Sequence, residues 1–461
     1  MSPAPPGRRI AALKNGPGEA GPAVIWNGDA AHPDPDRLRE AGSLRRTFRS
    51  LGNYNYRVWA GGALVSNIGT WMQRIAQDWL VLTVLTHRNA TAVGVVMALQ
   101  FGPHLLLLPL TGFAADHLDR RRVLLCTQAA MGTLALALGL LTVAGVVQLW
   151  HVWVFAFLLG CASAFDAPAR HTFVSELVGD TDLSNAVALN STSFNAARMV
   201  GPAVAGVLIA SVGTGWVFLI NAASFGAVLC SLAFLRVGDL HRDGRAVRTP
   251  GGFVEGFRYV RKRPDLMAVL AMLCLIGTFG LNFPIFISTM AVSEFGAGAG
   301  HYGLLTSTMA VGTIAGSLLA AGREAPRFTL VCGGAAAFGV GCAAAAVMPN
   351  YWLFGLALVG VGVSALTFMN TTNSMVQLST EPAMRGRVMA IRLAITLGGT
   401  PIGAPIVGWV ADRFGPRWAL GVGAASGFAA AAVGIWFLVR HRGLRMRLKA
   451  GRLRFGGGGA D

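Results

Sequence analysis

The chain has 461 residues, of which 54% are hydrophobic and 13% charged, with a formal net charge of +17. A soluble chain carries roughly 25% charged residues, so most of this one does not face water. The excess of positive charge excludes a nucleic-acid role on closer reading. The basic residues fall in short gaps between apolar runs of bilayer length rather than along one face.

The first 57 residues are rich in Pro, Gly, Ala and Arg and lack the apolar core of a signal peptide, so they read as a disordered tail. Twelve apolar runs then follow, each near the roughly 20 residues a spanning helix needs. They cover 58–85, 91–114, 122–147, 150–169, 185–212, 215–236, 265–292, 300–322, 327–348, 351–375, 388–412 and 416–440. The residues from 441 on are basic, then Gly-rich, and read as a second disordered tail. The expected fold is therefore an all-α integral membrane protein. It has a tail (1–57), an N-terminal six-helix bundle (58–236), a basic loop (237–264), a C-terminal six-helix bundle (265–440) and a tail (441–461).

Charge sets the orientation. Alternate gaps hold Arg120–Arg122, then Arg170, then a group from Arg242 to Arg263, then Arg323 and Arg327, then Arg385 and Arg387. The opposite gaps, such as Gly213-Thr214 and Pro349-Asn350, are nearly bare. By the positive-inside rule both termini are cytoplasmic and the chain is multi-pass in the cell membrane. Asp412, Arg413 and Arg417 break the pattern.

The two bundles echo one another. Gly201-Pro202-Ala203-Val204-Ala205-Gly206 aligns with Gly403-Ala404-Pro405-Ile406-Val407-Gly408 at a constant offset of 202 positions (201 to 403). The same offset pairs Gly213 with Gly415, Trp216 with Trp418, and Ala222-Ala223-Ser224 with Ala424-Ala425-Ser426. Such a match implies parallel repeats related by an axis along the membrane normal. It also makes Asp412-Arg413 the counterpart of the bare loop after the fifth span, not a gate signature.

No enzyme chemistry is legible. There is no P-loop, no nucleophile with a base, no metal-ligand spacing and no sign of a cofactor. The six cysteines lie inside apolar runs and form no C-x-x-C pair, which fits neither a disulfide framework nor a metal site. Ionisable residues within spans are the better pointers, because the bilayer makes them expensive. Arg74 and Asp78 lie four apart on the first span and so share a face. They read either as a self-compensating pair or as a proton-carrying carboxylate tuned by its neighbour. Asp166 is a second proton-coupling candidate, placed at the inner end of the fourth span, with Ser175 and Glu176 in the loop after it. Trp71, Gln77, Gln100, Phe194, Asn221, Phe279, Asn282, Phe368 and Arg392 are candidates for a substrate cavity, although aromatic residues on spans more often face lipid or core.

Four stretches carry a family resemblance. Gly112-Phe113-Ala114-Ala115-Asp116-His117-Leu118-Asp119-Arg120-Arg121-Arg122 resembles the loop 2–3 signature of the major facilitator superfamily, with His117 and Asp119 as departures. Arg198 and Gly201-Pro202…Gly206 resemble the fifth-helix antiporter motif, with Ala197 and Ala205 in place of two glycines. Ser66 to Gln73 and Phe165 to Arg170 extend the similarity to the drug- and siderophore-efflux branch, the group of enterobactin and macrolide exporters. The resemblance implies an inner gate at Gly112, Asp116, Arg120, Arg121 and Arg122. It also implies a monomeric transporter exchanging protons for an apolar or amphipathic small molecule. The alternatives are a metabolite importer, which would need a more charged cavity, and a non-transporting sensor or scaffold.

Overall fold

The computed structural model describes residues 47–241, 253–321, 327–442, 444–449 and 452–457. From Phe48 on they belong to one compact unit. Within it we number the helices α1 (Tyr54–Trp79), α2 (Ala90–Leu106), α3 (Leu108–His117), α4 (Arg120–Val143), α5 (Leu149–Gly179), α6 (Thr181–Val212), α7 (Thr214–Ala233) and α8 (Phe253–Arg261). There follow α9 (Pro264–Leu275), α10 (Phe283–Thr289), α11 (Ala299–Ala321), α12 (Phe328–Ala346), α13 (Tyr351–Ser379), α14 (Arg385–Phe414) and α15 (Pro416–Arg442).

Among the described residues ten segments are long and apolar enough to cross a bilayer, with Pro264–Glu294 counted as one. Two more crossings are less regular. The helix α1 carries Arg57, Arg74 and Asp78 and runs on into a π-turn at Leu80–Leu85. The crossing of α2 and α3 is broken at Leu107 (φ −92°, ψ 3°), between a proline inside α2 and another at the start of α3. With these two the count reaches twelve. The seventh crossing is also broken. It passes through π-turns at Ile276–Gly280 and Met290–Glu294, and α10 restarts after Asn282, whose Nδ2 donates to the Thr278 carbonyl at 2.7 Å.

Three expectations change here. The fourth span does not end near 169: α5 continues to Gly179, where a left-handed φ of 67° turns the chain into α6. Ser175 and Glu176 are therefore helical, because Phe173, Val174, Leu177 and Val178 form a buried stripe that carries the helix past the bilayer. The basic loop contains a helix, α8, and a short turn at Val237–Asp239. The C-terminal tail holds an antiparallel hairpin, β1 (Leu444–Lys449) against β2 (Arg452–Gly457), with Leu444 opposite Gly457. The first 46 residues, Arg242, Arg245, Arg248 and Arg323 lie outside the described residues.

The repeat is visible in the backbone. Gly213 (φ 88°, ψ 168°) and Gly415 (φ 102°, ψ 163°) end α6 and α14 in the same left-handed conformation, which glycine alone adopts freely. Within the N-terminal half α1 packs on α6 and α7, and α4 on α7. Within the C-terminal half α11 packs on α13, and α12 on α13 and α15. The halves meet along two seams, α2 with α14 and α6 with α11.

Candidate functional site: a charged cavity between the halves

Both seams are built from small residues. A Cβ at Gly408 would come within 2.5 Å of the Ala90 carbonyl, and one at Gly206 within 2.8 Å of the Ala299 carbonyl. Gly94 lies against the Ala404 carbonyl and Gly303 against that of Pro202. Such backbone-on-backbone approach is how helices associate without a hydrophobic drive. These contacts lie in the part of each seam towards the bare connections. Asp412, in the last turn of α14, completes the closure there. Its Oδ1 accepts from Ala90 N at 2.7 Å, and its Oδ2 from Thr91 N at 2.8 Å and Thr91 Oγ1 at 2.5 Å. A carboxylate thus caps the N-terminus of α2 from the opposite half, satisfying orphan N–H groups and the helix dipole.

Beneath this closure lies a cavity of about 230 Å³. Trp71, Arg74 and Asp78 line it from α1, Gln100 and Phe101 from α2, and Arg198 from α6. The far wall comes from the broken seventh crossing (Leu281, Phe283, Pro284) and from Tyr302, Thr306 and Thr313 of α11. Gly201 positions Trp71, since a Cβ at Gly201 would sit 2.6 Å from the Trp71 Cβ. The antiporter-like motif therefore acts as a two-sided packing surface. Gly201 faces α1, Gly206 and Pro202 face α11, and Arg198 reaches across to donate to Thr313 Oγ1.

Asp78 is buried, and its Oδ2 accepts from Tyr302 Oη at 3.0 Å, a bond between the two halves. Trp79 stacks on the same tyrosine at 6.4 Å. Arg74 shares the face of Asp78, yet among the described residues its side chain forms no salt bridge or hydrogen bond. Its guanidinium lies over Trp71 at 4.8 Å and Phe101 at 5.7 Å, and its buried Nε has no partner. The Nε of Arg198 is likewise unpartnered. The cavity thus holds two guanidinium groups and one carboxylate on largely apolar walls.

Of the other cavity candidates, Phe194 sets its ring edge against Trp71 at 5.9 Å. Asn221 donates to Gln73 Oε1 and lines a side cavity of about 40 Å³ inside the N-terminal half, shared with Arg74, Gln100 and His104. Gln77 and Asn282 are buried, Phe279 is half-buried, and Phe368 packs in the hydrophobic core. Arg392 donates to the Met369 carbonyl at 3.3 Å.

Asp166 is a different kind of carboxylate. Its Oδ1 accepts from Thr127 Oγ1 at 2.8 Å and Gln128 Nε2 at 2.6 Å, and its Oδ2 from Arg170 Nε at 3.1 Å. It sits well inside α5 rather than at a helix end, and both oxygens are occupied.

At the basic end the signature residues serve their own half. Asp119 caps α4 by accepting from Arg122 N at 2.9 Å. Arg120 pairs with Glu176 of α5 at 2.7 Å, and Arg121 donates to the Leu232 carbonyl of α7 at 3.0 and 2.8 Å. A Cβ on Gly112 would meet open space, and Asp116 lies in the last turn of α3 with its side chain outside the described residues. Of the residues the structure brings to the candidate site, sequence reasoning missed Tyr302 and Thr313 and read Asp412 only as an exception to the charge pattern.

The profile of the family described as transmembrane secretion effector matches residues 46–446. The staphyloferrin A transporter of Staphylococcus aureus is 24% identical over 76% of this chain and 87% of its own. The multidrug efflux pump Tap of Mycolicibacterium fortuitum is 26% identical over 77% and 88%. Among solved structures, a bacterial homologue of the human lysosomal transporter Spinster, in an inward-facing and occupied conformation, superposes with a TM-score of 0.66 at 13% identity, over 83% of this chain and 96% of that one. The broken yet complete set of crossings, the duplicated halves and the match across nearly the whole described chain lead to one assignment: this is a multi-pass membrane transporter, not an enzyme, and it belongs to the transmembrane secretion effector family of the major facilitator superfamily.

Proposed function

We propose that the protein exports an amphipathic small molecule from the cytoplasm, driven by protons, by alternating access of the central cavity. It acts as a monomer in the cell membrane with both termini cytoplasmic. The observation that carries this reading is the Asp78–Tyr302 bond. A carboxylate that joins the two halves inside the bilayer changes that joint when it takes up a proton, so protonation and the opening of the cavity become one event. The efflux name of the Tap relative supports the direction.

A second reading is favoured by the cavity's charge. Two guanidinium groups against one carboxylate suit an anionic cargo. An anion beside Asp78 would load together with a proton rather than in exchange for it, which is the behaviour of a proton-coupled importer.

One experiment separates these. The purified protein is reconstituted in liposomes containing a pH dye and offered a lipophilic cation (ethidium) or a lipophilic anion (anilinonaphthalene sulfonate). Exchange predicts proton movement opposite to ethidium, whereas co-loading predicts proton movement with the anion. Asp78→Asn is expected to abolish the proton signal while leaving probe binding intact. As many protons per probe in Asp78→Asn as in the wild type would remove Asp78 as the coupling site. For orientation, a cysteine at Asn350 is expected to react with an impermeant thiol reagent from outside and one at Arg245 to stay protected; the reverse labelling would invert the topology.

A further inference from the structure

The transport reading leaves α8 without a role, and its surface is unlike that of the crossings. We infer that α8 is an interfacial helix whose outer face binds anionic phospholipid headgroups. The helix is 9 residues long and ends three residues before Pro264, the first residue of the seventh crossing, so it lies at the membrane surface.

One side of α8 is fixed to the C-terminal half. A Cβ at Gly256 would lie 3.0 Å from the Arg387 Cβ and 3.3 Å from the Ile391 Cδ1 of α14. Val260 is buried, and Glu255 pairs with Arg387 at 3.2 Å. The corner into α9 is held by Arg263. Its Nε and Nη2 donate to the two carboxylate oxygens of Asp265 at 3.0 and 2.7 Å, Nη2 also to the Ser379 carbonyl at 3.2 Å, and Nη1 to Tyr259 Oη at 3.3 Å. The Asp265 carboxylate raises the pKa of this guanidinium above the usual arginine range. The angle between α8 and the crossing is therefore set by the fold.

The opposite side is exposed. Val254 is 73% exposed and Phe257 59% exposed, and Arg258 and Arg261 continue the same stripe at helical spacing, with Lys262 beside it. Among the described residues none of these three cations has an acidic partner, and the nearby Glu255 is engaged by Arg387. Two apolar side chains flanked by three cations on a surface-lying helix match the layering of a lipid leaflet. The apolar groups enter the acyl boundary while the long basic side chains reach the headgroups. Charge complementarity selects an anionic headgroup over a zwitterionic one, since each basic residue near an anionic surface adds a favourable term.

The test uses the full-length protein in nanodiscs of phosphatidylcholine with a rising fraction of phosphatidylglycerol. Retained lipid is counted by native mass spectrometry. The wild type is expected to retain phosphatidylglycerol in preference. The triple substitution Arg258→Gln, Arg261→Gln, Lys262→Gln should weaken that preference about tenfold or more. Val254→Ser with Phe257→Ser should reduce retention of both lipids alike while keeping the preference. Unchanged thermal stability in phosphatidylcholine alone shows that the variants are folded. If the folded triple variant retains as much phosphatidylglycerol as the wild type, the inference is wrong. It is equally wrong if millimolar inorganic phosphate displaces the lipid from the wild type, because the face would then be a plain anion site. No preference in the wild type would leave α8 as a docking face for a protein partner and overturn the lipid assignment.

Discussion

The two seams between the halves share their close backbone contacts and differ in their charged groups. In the first, Gly408 of α14 lies on Ala90 of α2, and Gly94 lies on Ala404. In the second, Gly206 of α6 lies on Ala299 of α11, and Gly303 on Pro202. Positions 206 and 202 correspond to 408 and 404 at the offset of 202, and Ala299 and Gly303 take in the second seam the places that Ala90 and Gly94 take in the first. The cap has not been preserved. Asp412 holds the end of α2, whereas its counterpart in α6 is the exposed Ala210. Close packing is thus a shared property of both seams, and the carboxylate cap at the rim belongs to one of them, while Arg198 reaches Thr313 across the other.

The comparison can be broken most strongly at the glycines. Gly303→Leu forces a side chain into the Pro202 carbonyl, an overpacking that costs roughly 3 kcal/mol or more. Transport should fall about a hundredfold, and Gly94→Leu on the other seam should do the same. If either variant transports normally, that seam does not close during the cycle. Asp412→Ala removes three hydrogen bonds from a helix N-terminus, worth about 2 kcal/mol. A cysteine placed at Arg88 should become roughly thirtyfold more reactive toward a thiol reagent. Unchanged reactivity would reduce Asp412 to a surface residue. The reciprocal change, Ala210→Asp, places a carboxylate opposite α11 at the position that Asp412 holds opposite α2. It should protect the same cysteine by about fivefold, a cap contributing roughly 1 kcal/mol. Failure would mean that the seams are not equivalent in geometry. The smallest effect is expected for Thr91→Val, which deletes the hydroxyl bond and leaves both backbone bonds to Asp412. An increase in reactivity of about threefold fits a single hydrogen bond of roughly 0.5–1 kcal/mol.

The fold was legible because bilayer length and charge alternation are strong signals, and the offset of Gly201-Pro202 against Gly403-Ala404 announced the duplicated halves. The limits of α5 were misread because Thr172, Ser175 and Glu176 look like a loop. The stripe of Phe173, Val174, Leu177 and Val178 between them was the available sign of a continuing helix. The site was legible only on the N-terminal side. Arg74 and Asp78 stand out as ionisable residues on a crossing. Tyr302 does not, because its role comes from a contact 224 positions away in sequence. Asp412 was visible as an exception to the charge pattern. Its meaning depended on which helix end it faces, and that is a tertiary fact.

The small-residue seams have a mechanical consequence. Where backbone meets backbone, as at Gly94 with Ala404 or Gly303 with Pro202, no side chain of one half is keyed into a socket of the other. Surfaces of this kind behave as bearings. They can roll or part without drawing a knob out of its hole, so friction between end states is low and the end states themselves are set by what sits at the rim. A protein built this way can switch often with little wear on its core packing. In the proposed cycle the timing of each switch would fall to the polar groups that bridge the halves, Asp412 at the rim and Asp78 with Tyr302 and Arg198 with Thr313 at the centre.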